Sequence, residues 1–179
     1  MAVSIEDIKK LRAMTGAGLA DVKKALTEAE GDFDKAKELL RERGLAIAAK
    51  RSDRETSNGC VLVKKVNDFA AIIALKCETD FVANGADFIK LTSDILDAAI
   101  AAKAHTLDEV KTLKVGDADV QAAVTQRSGI TGEKMELDGY CVLEGDNIEV
   151  YDHMGKHTLC TMVQLNENNE EAGHKVAMQ

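Results

Sequence analysis

The sequence predicts an α+β fold in which an N-terminal module of three helices precedes an α+β core with an antiparallel sheet. Three observations support this prediction. Glycines divide the first 45 residues into short helical segments with apolar stripes. Two β-rich runs are then separated only by Asn67-Asp68, which is typical of a hairpin. A long helical pattern follows, and three further strand-like segments lie beyond it.

Residues 1–45 have the pattern of three short helices. Ser4 and Asp32 each precede a helical stripe, and their side chains are suited to capping the N termini of the first and third helices. Glycine is expected to end each helix because it adopts the left-handed conformation readily; these residues are Gly16, Gly31 and Gly44. Three helices of this size resemble the ubiquitin-associated type of three-helix module.

Residues 46–57 are charged and end in turn-forming residues, so we interpret them as a linker. The α+β core is expected over residues 58–179. Its first hairpin pairs Cys60–Val66 with Phe69–Cys77, and its longest helix is expected over residues 86–104. The later elements are a helix capped by Thr106, a helix at 120–127 that stops before Gly129, strands at 135–143, 148–153 and 158–165, and a final helix from Glu170.

Charge and hydropathy exclude several classes of function. The net charge of −8 argues against a broad nucleic-acid surface, because phosphate binding depends on clustered Lys and Arg. No apolar run approaches the roughly 18 residues of a membrane span, and the N terminus lacks the pattern of a secretory signal. A cytoplasmic protein is therefore expected, without direct contact to nucleic acid or membrane.

The thiols and imidazoles offer little support for catalysis. Four cysteines lie in strand-like apolar segments and are expected to be small buried thiols without disulfides; these are Cys60, Cys77, Cys141 and Cys160. His153, His157 and Cys160 have the only spacing that suggests a metal site. Gly155 between the two histidines favours a turn instead, so no metal is expected, although a small metalloenzyme stays open as an alternative.

The most informative segment follows the apolar run that ends at Cys77. It reads Glu78-Thr79-Asp80-Phe81-Val82, so a Phe lies in a predicted loop beside polar residues. A Phe held on a loop at the end of a strand is well placed to enter a partner's groove. The alternative is that Thr79 or Asp80 caps the helix beginning near Ala86 and that Phe81 folds back into the core.

Three motifs resemble those of a known family, bacterial elongation factor Ts. The first is Leu-Arg-Ala-Met-Thr-Gly-Ala-Gly at 11–18, followed by Asp-Val-Lys-Lys-Ala-Leu at 21–26. The second is Thr-Asp-Phe-Val-Ala at 79–83, which is similar to the signature loop of that family. The third runs from Leu143 to His153 and ends in Tyr-x-His. The resemblance therefore extends over nearly the whole sequence.

This resemblance implies a guanine-nucleotide exchange factor for elongation factor Tu. In the family, the residues matching Asp80 and Phe81 insert between two helices of the GTPase domain and disturb its magnesium and phosphate site. Thr79 and Val82 complete that loop. On the three-helix module and the later hairpin, the matched positions expected to contact the same partner are Arg12, Leu19, Lys23 and His153. Exchange makes and breaks no covalent bond, so the resemblance implies neither catalytic residues nor a cofactor.

The sequence also departs from the family pattern. Leu19-Ala20 replaces two methionines expected after the glycines, which implies a smaller apolar contact. Leu137-Asp138-Gly139 replaces an expected basic stretch. Family members continue beyond the final helix, so the chain is either a compact variant or a fragment. A helical protein-binding module without exchange activity, in which Asp80 and Phe81 serve as a cap and a core residue, stays open.

Overall fold

The computed structural model describes residues 3–179, which form two compact units. The helical unit comprises the chain up to Arg54 together with Thr125–Lys134, and the sheet unit comprises Glu55–Val124 and Met135–Gln179. The helices are α1 (Ile5–Thr15), α2 (Leu19–Glu28), α3 (Phe33–Lys50), α4 (Asp80–Ala83), α5 (Ala86–Ala102), α6 (Leu107–Thr112), α7 (Val120–Thr131) and α8 (Glu170–Met178). The strands are β1 (Asn58–Val66), β2 (Phe69–Cys77), β3 (Lys114–Val115), β4 (Ala118–Asp119), β5 (Met135–Glu144), β6 (Ile148–Asp152) and β7 (Cys160–Gln164).

The predicted α+β class is confirmed. Three predicted helix caps of the N-terminal segment are confirmed in the helical unit. Ser4 is the N-cap of α1, Gly16 ends α1 with a φ of 70°, and Asp32 is the N-cap of α3. The side chains between α1, α2 and α3 form a small apolar core, whose buried members include Leu11, Val22, Ala25, Leu26 and Ala36. The assignment of residues 1–45 to a ubiquitin-associated module stays a prediction.

Two predicted helix ends are wrong. The third helix continues through Gly44 to Lys50, so residues 46–50, expected to belong to the linker, are helical. Helix α7 likewise continues through Gly129 to Thr131. Both glycines have helical backbone rather than positive φ, and they lie against each other within the helical unit. Close packing of two helices therefore outweighs the cost of about 1 kcal/mol that glycine imposes inside a helix.

The sheet unit is built on a three-stranded antiparallel sheet with strand order β1-β2-β5. The predicted Asn67-Asp68 hairpin is confirmed: Val66 pairs with Phe69, and Asn67 has the positive φ of 55° that a tight hairpin turn requires. A bulge between Ala74 and Leu75 interrupts the register with β5. Strands β3-β4 and β6-β7 form two further small antiparallel sheets.

One face of the main sheet packs against α5. Large fully buried side chains from both sides meet there, among them Phe69, Ile73 and Leu75 from β2 and Phe88 and Ile95 from α5. This core positions the end of β2, because Cys77 at its last position is also completely buried. The segment that leaves β2 therefore starts from a fixed point.

The four cysteines are free, but one is not buried as predicted. Cys60 and Cys77 are buried and Cys160 is half-buried, whereas Cys141 is exposed. Side chains alternate between the two faces of a strand. Tyr140 and Val142 of β5 pack against the core, so Cys141 between them points to the other face. No helix within residues 3–179 is long and apolar enough to cross a membrane.

Candidate functional site

The segment predicted to be a loop after β2 is a single helical turn. Thr79 is the N-cap of α4, where its hydroxyl accepts a hydrogen bond from the Val82 N–H at 3.4 Å. Thr79 therefore does not cap the helix that begins at Ala86, whose N-cap is Gly85. We call residues 79–84 the α4 turn.

Phe81 projects from the α4 turn into solvent, with 88% of its surface exposed. Its neighbours anchor the turn: Ala83 is buried and Val82 packs against the same core as Phe88. The alternative in which Phe81 folds back into the core is therefore wrong. A fully exposed phenylalanine on an anchored turn is unusual, because aromatic side chains generally gain free energy from burial.

Asp80 precedes Phe81 and is also exposed. Its backbone carbonyl accepts a hydrogen bond from the Asn84 side-chain amide at 2.8 Å. Its carboxylate has no ion-pair partner in the part of the chain that the structure describes. The α4 turn thus presents an aromatic ring and an unpaired negative charge next to each other, a pair suited to a binding partner with an apolar groove beside a charged site.

A cavity of about 360 Å³ lies beside the α4 turn within the sheet unit. Its lining includes Asn58, Gly59, Lys76, Asp80, Asn84 and Thr158. The Lys76 ammonium lies 3.2 Å from the Asp138 carboxylate, so it is paired away from Asp80. The cavity therefore adjoins Asp80.

Sequence reasoning missed Asn58 as part of this site, because Ser57-Asn58-Gly59 has the composition of a turn. In the structure Asn58 is the first residue of β1, and its side-chain amide donates to the Glu78 carbonyl at 2.9 Å. No local pattern signals this contact, because the two residues are twenty positions apart and meet only through strand pairing.

The sequence-predicted contacts of the three-helix module lie on α1 and α2. Arg12 is in the last turn of α1, Leu19 is the first residue of α2, and Lys23 lies one turn later. All three side chains are exposed, and Leu19 retains 55% of its surface. Leu19 and Lys23 share one face of α2, because residues four apart are neighbours on a helix.

His153 opens a 3₁₀ turn between β6 and β7 and is exposed. Its Nδ1 lies 3.1 Å from the Tyr151 hydroxyl, and the two rings pack edge to face at 5.8 Å. His157 instead lies 2.8 Å from the Asp152 carboxylate. Among residues 3–179, no three His, Cys, Asp or Glu side chains are placed to hold a metal ion. His153, His157 and Cys160, whose spacing suggested a metal site, therefore do not form such a group in the part of the chain that the structure describes.

The α4 turn and His153 both lie within a region that matches a protein-family model. That model describes "Elongation factor TS" and matches residues 78–179, more than half of the chain. The chain belongs to the elongation factor Ts family. The family resemblance predicted from the three sequence motifs is thus confirmed.

Curated elongation factor Ts proteins match the chain along its whole length. The protein of Parabacteroides distasonis is 64% identical over 179 residues, which are 100% of this chain and 54% of the relative. That of Bacteroides fragilis is 65% identical over 180 residues, with the same coverage. That of Porphyromonas gingivalis is 49% identical over 181 residues, or 66% of its length. The chain therefore spans about half the length of the first two elongation factor Ts proteins.

Proposed function

We propose that the chain is a guanine-nucleotide exchange factor for elongation factor Tu. In this proposal Thr79, Asp80, Phe81 and Val82 enter the GTPase domain and disturb its magnesium and phosphate site, which promotes GDP release. The observation that carries the proposal is the exposure of Phe81 on a turn anchored by the core. Membership of the elongation factor Ts family supports it independently.

Burial of the Phe81 ring in the partner, on a turn that is already anchored, supplies the free energy that favours the distorted nucleotide site. Burial of a phenylalanine in a partner is worth about 1.5–3 kcal/mol from its area. If that burial occurs only when the nucleotide site is distorted, it accelerates GDP release by about one to two orders of magnitude. Because Val82 and Ala83 already hold the turn, little backbone conformational entropy is lost when Phe81 binds.

Exchange follows from thermodynamic linkage. A nucleotide held by a phosphate cradle and Mg²⁺ favours one conformation of the GTPase, whereas the inserted turn favours another. Each ligand must then weaken the binding of the other by the same factor. The unpaired Asp80 carboxylate adds to this effect, since a negative charge carried towards a phosphate site repels the phosphate oxygens. No bond is made or broken, so the chain would act without bond chemistry.

Contacts elsewhere on the chain extend the proposed interface. Arg12, Leu19 and Lys23 are exposed and offer two cations and an apolar side chain. His153 is a further candidate contact on the sheet unit. A partner engaged at several points gains both affinity and a defined orientation. This function would place the chain in the cytoplasm with elongation factor Tu, acting on a protein rather than on nucleic acid or membrane.

The test is release of a fluorescent GDP analogue from the cognate elongation factor Tu in excess unlabelled GDP. We expect the chain to accelerate release and Phe81→Ala to lose about 10- to 100-fold of that acceleration. Val176→Ala is the matched control, because it also removes an exposed apolar side chain, 53% exposed on α8, without altering the α4 turn.

Two outcomes would contradict the proposal. An unchanged rate with Phe81→Ala would show that the α4 turn is not the acting element. Binding of the wild-type chain without acceleration would favour the alternative of a protein-binding module that lacks exchange activity.

A further inference from the structure

Three consecutive backbone carbonyls at the exit from β2 accept hydrogen bonds from side chains. These carbonyls belong to residues 78–80. The Asn58 side-chain amide donates to the Glu78 carbonyl at 2.9 Å. The Cys77 thiol donates to the Thr79 carbonyl at 3.2 Å, and the Asn84 side-chain amide donates to the Asp80 carbonyl at 2.8 Å. The peptide units that join the sheet to the α4 turn are therefore each held by a specific side chain.

Asn58 differs from the other two donors because it comes from a different strand. Its Cα pairs with that of Cys77 at the last step of the β1-β2 ladder. The side-chain amide reaches one residue further and bonds to the Glu78 carbonyl, one position beyond the last Cα pair of the ladder. Asn58 thus extends the strand pairing as far as the first residue before the α4 turn.

The backbone beside Asn58 has little freedom to shift. A Cβ on Gly59 would lie 2.5 Å from the Leu75 carbonyl oxygen, so β1 and β2 approach closely at this point. The Ser57 hydroxyl also lies 3.5 Å from the Glu78 carbonyl, at the outer limit of a hydrogen bond. Loss of the Asn58 amide would therefore remove the shorter of these two contacts, at 2.9 Å.

We propose that Asn58 is a positioning residue for nucleotide exchange, which orients Phe81 by holding the Glu78 carbonyl without contacting the partner itself. This inference rests on the proposed function. Asn58 is half-buried beneath the turn, whereas Asp80 and Phe81 are exposed. Its effect on exchange must then pass through the direction in which the ring points.

Asn58→Asp is the sharpest variant. This change keeps the size of the side chain but replaces the donating amide nitrogen with a carboxylate oxygen, which only accepts hydrogen bonds. The carboxylate oxygen and the Glu78 carbonyl oxygen would then repel each other. Asn58→Gln retains the amide donor on a longer side chain. We expect it to accelerate GDP release more than Asn58→Asp does but less than the wild-type chain does. Asn168→Asp makes the same chemical change in the loop between β7 and α8 and serves as the control.

The first measurement is a double-mutant cycle on the acceleration of GDP release from elongation factor Tu. We expect Asn58→Asp to reduce acceleration by about tenfold in the wild-type background, because small misplacements of an acting group are costly. In the Phe81→Ala background the same change should reduce it less than about twofold. Equal losses in both backgrounds would indicate a general structural role and would overturn the inference.

The second measurement needs no partner. The amides of residues 82–85 form the hydrogen bonds of the α4 turn, and their hydrogen exchange in the free chain reports its order. We expect faster exchange at these amides in Asn58→Asp and unchanged exchange in Asn168→Asp. Unchanged exchange in Asn58→Asp would overturn the inference. If the wild-type chain fails to accelerate GDP release, the proposed function fails, whereas this measurement still decides whether Asn58 holds the turn.

Discussion

Gly44 of α3 and Gly129 of α7 touch through their backbones within the helical unit. A Cβ built on Gly129 would lie 2.1 Å from the Gly44 Cα, which is closer than two non-bonded carbon atoms can approach. One of the two helices would therefore have to shift. A Cβ on Gly44 would instead lie 3.5 Å from the Gly129 Cα, an ordinary contact. The absence of a side chain is therefore required at Gly129 and only tolerated at Gly44.

This asymmetry predicts opposite effects of the same substitution. Gly129→Ala should lower the free energy of unfolding by about 1–3 kcal/mol, because the added methyl group overpacks the helix crossing. Gly44→Ala should leave it unchanged or raise it by up to about 1 kcal/mol, since alanine is the better helix former. Urea unfolding followed by far-ultraviolet circular dichroism measures both. Equal stabilities of the two variants would disprove the close approach.

The two phenylalanines on either side of Gly85 should differ sharply in their effect on stability. Phe81 is 88% exposed, so Phe81→Ala should change the free energy of unfolding by no more than about 0.5 kcal/mol. Phe88 is 1% exposed in the core, so Phe88→Ala should cost about 3–5 kcal/mol. The same urea titration tests this pair. A large cost for Phe81→Ala would mean that its ring packs against the chain in solution.

The thiols should react with iodoacetamide in a defined order at pH 8. Burial raises the pKa of the Cys60 thiol to about 11 and that of Cys160 to about 12, so neither forms much thiolate. Cys141 is exposed and should be alkylated first. Mass spectrometry of peptides from the native chain, with urea-unfolded chain as the control, gives the order. Early labelling of Cys60 would contradict its burial.

The capping box of α6 should contribute a pH-dependent term to stability. The backbone N–H groups of His105 and Thr106 donate to the Glu109 carboxylate and lower its pKa in the folded chain. A lowered folded pKa stabilises the fold above the unfolded value of about 4.3, and this contribution is lost as pH falls through the folded pKa.

Glu109→Gln removes that titration while keeping an oxygen acceptor. We therefore expect the wild-type chain to exceed Glu109→Gln in thermal midpoint at pH 7 and this difference to shrink as the pH is lowered towards 3. Thermal unfolding of both proteins across this range provides the comparison. A difference that does not depend on pH would show that the charge of Glu109 does not matter.

Local chemistry explains which elements were predictable. The Asn67-Asp68 hairpin, the Ser4 and Asp32 caps and the Thr106 capping box each depend on residues within four positions of one another. The motif around Phe81 is likewise contiguous in the sequence, so it indicated the candidate site and, together with the motifs at 11–26 and 143–153, the family. What failed was the interpretation of glycine as a helix terminator at Gly44 and Gly129, because helix propensity is weak compared with tertiary packing.

The sequence by itself determined the α+β class, the first hairpin, the family and the segment most suited to contact a partner. These follow from periodicity, capping and short motifs, which act over a few residues. Only the tertiary structure decided that Phe81 faces solvent, that Cys141 is exposed, and that Asn58 holds the Glu78 carbonyl. Burial and long-range hydrogen bonds depend on which distant segments come together, and no local pattern of residues encodes that proximity.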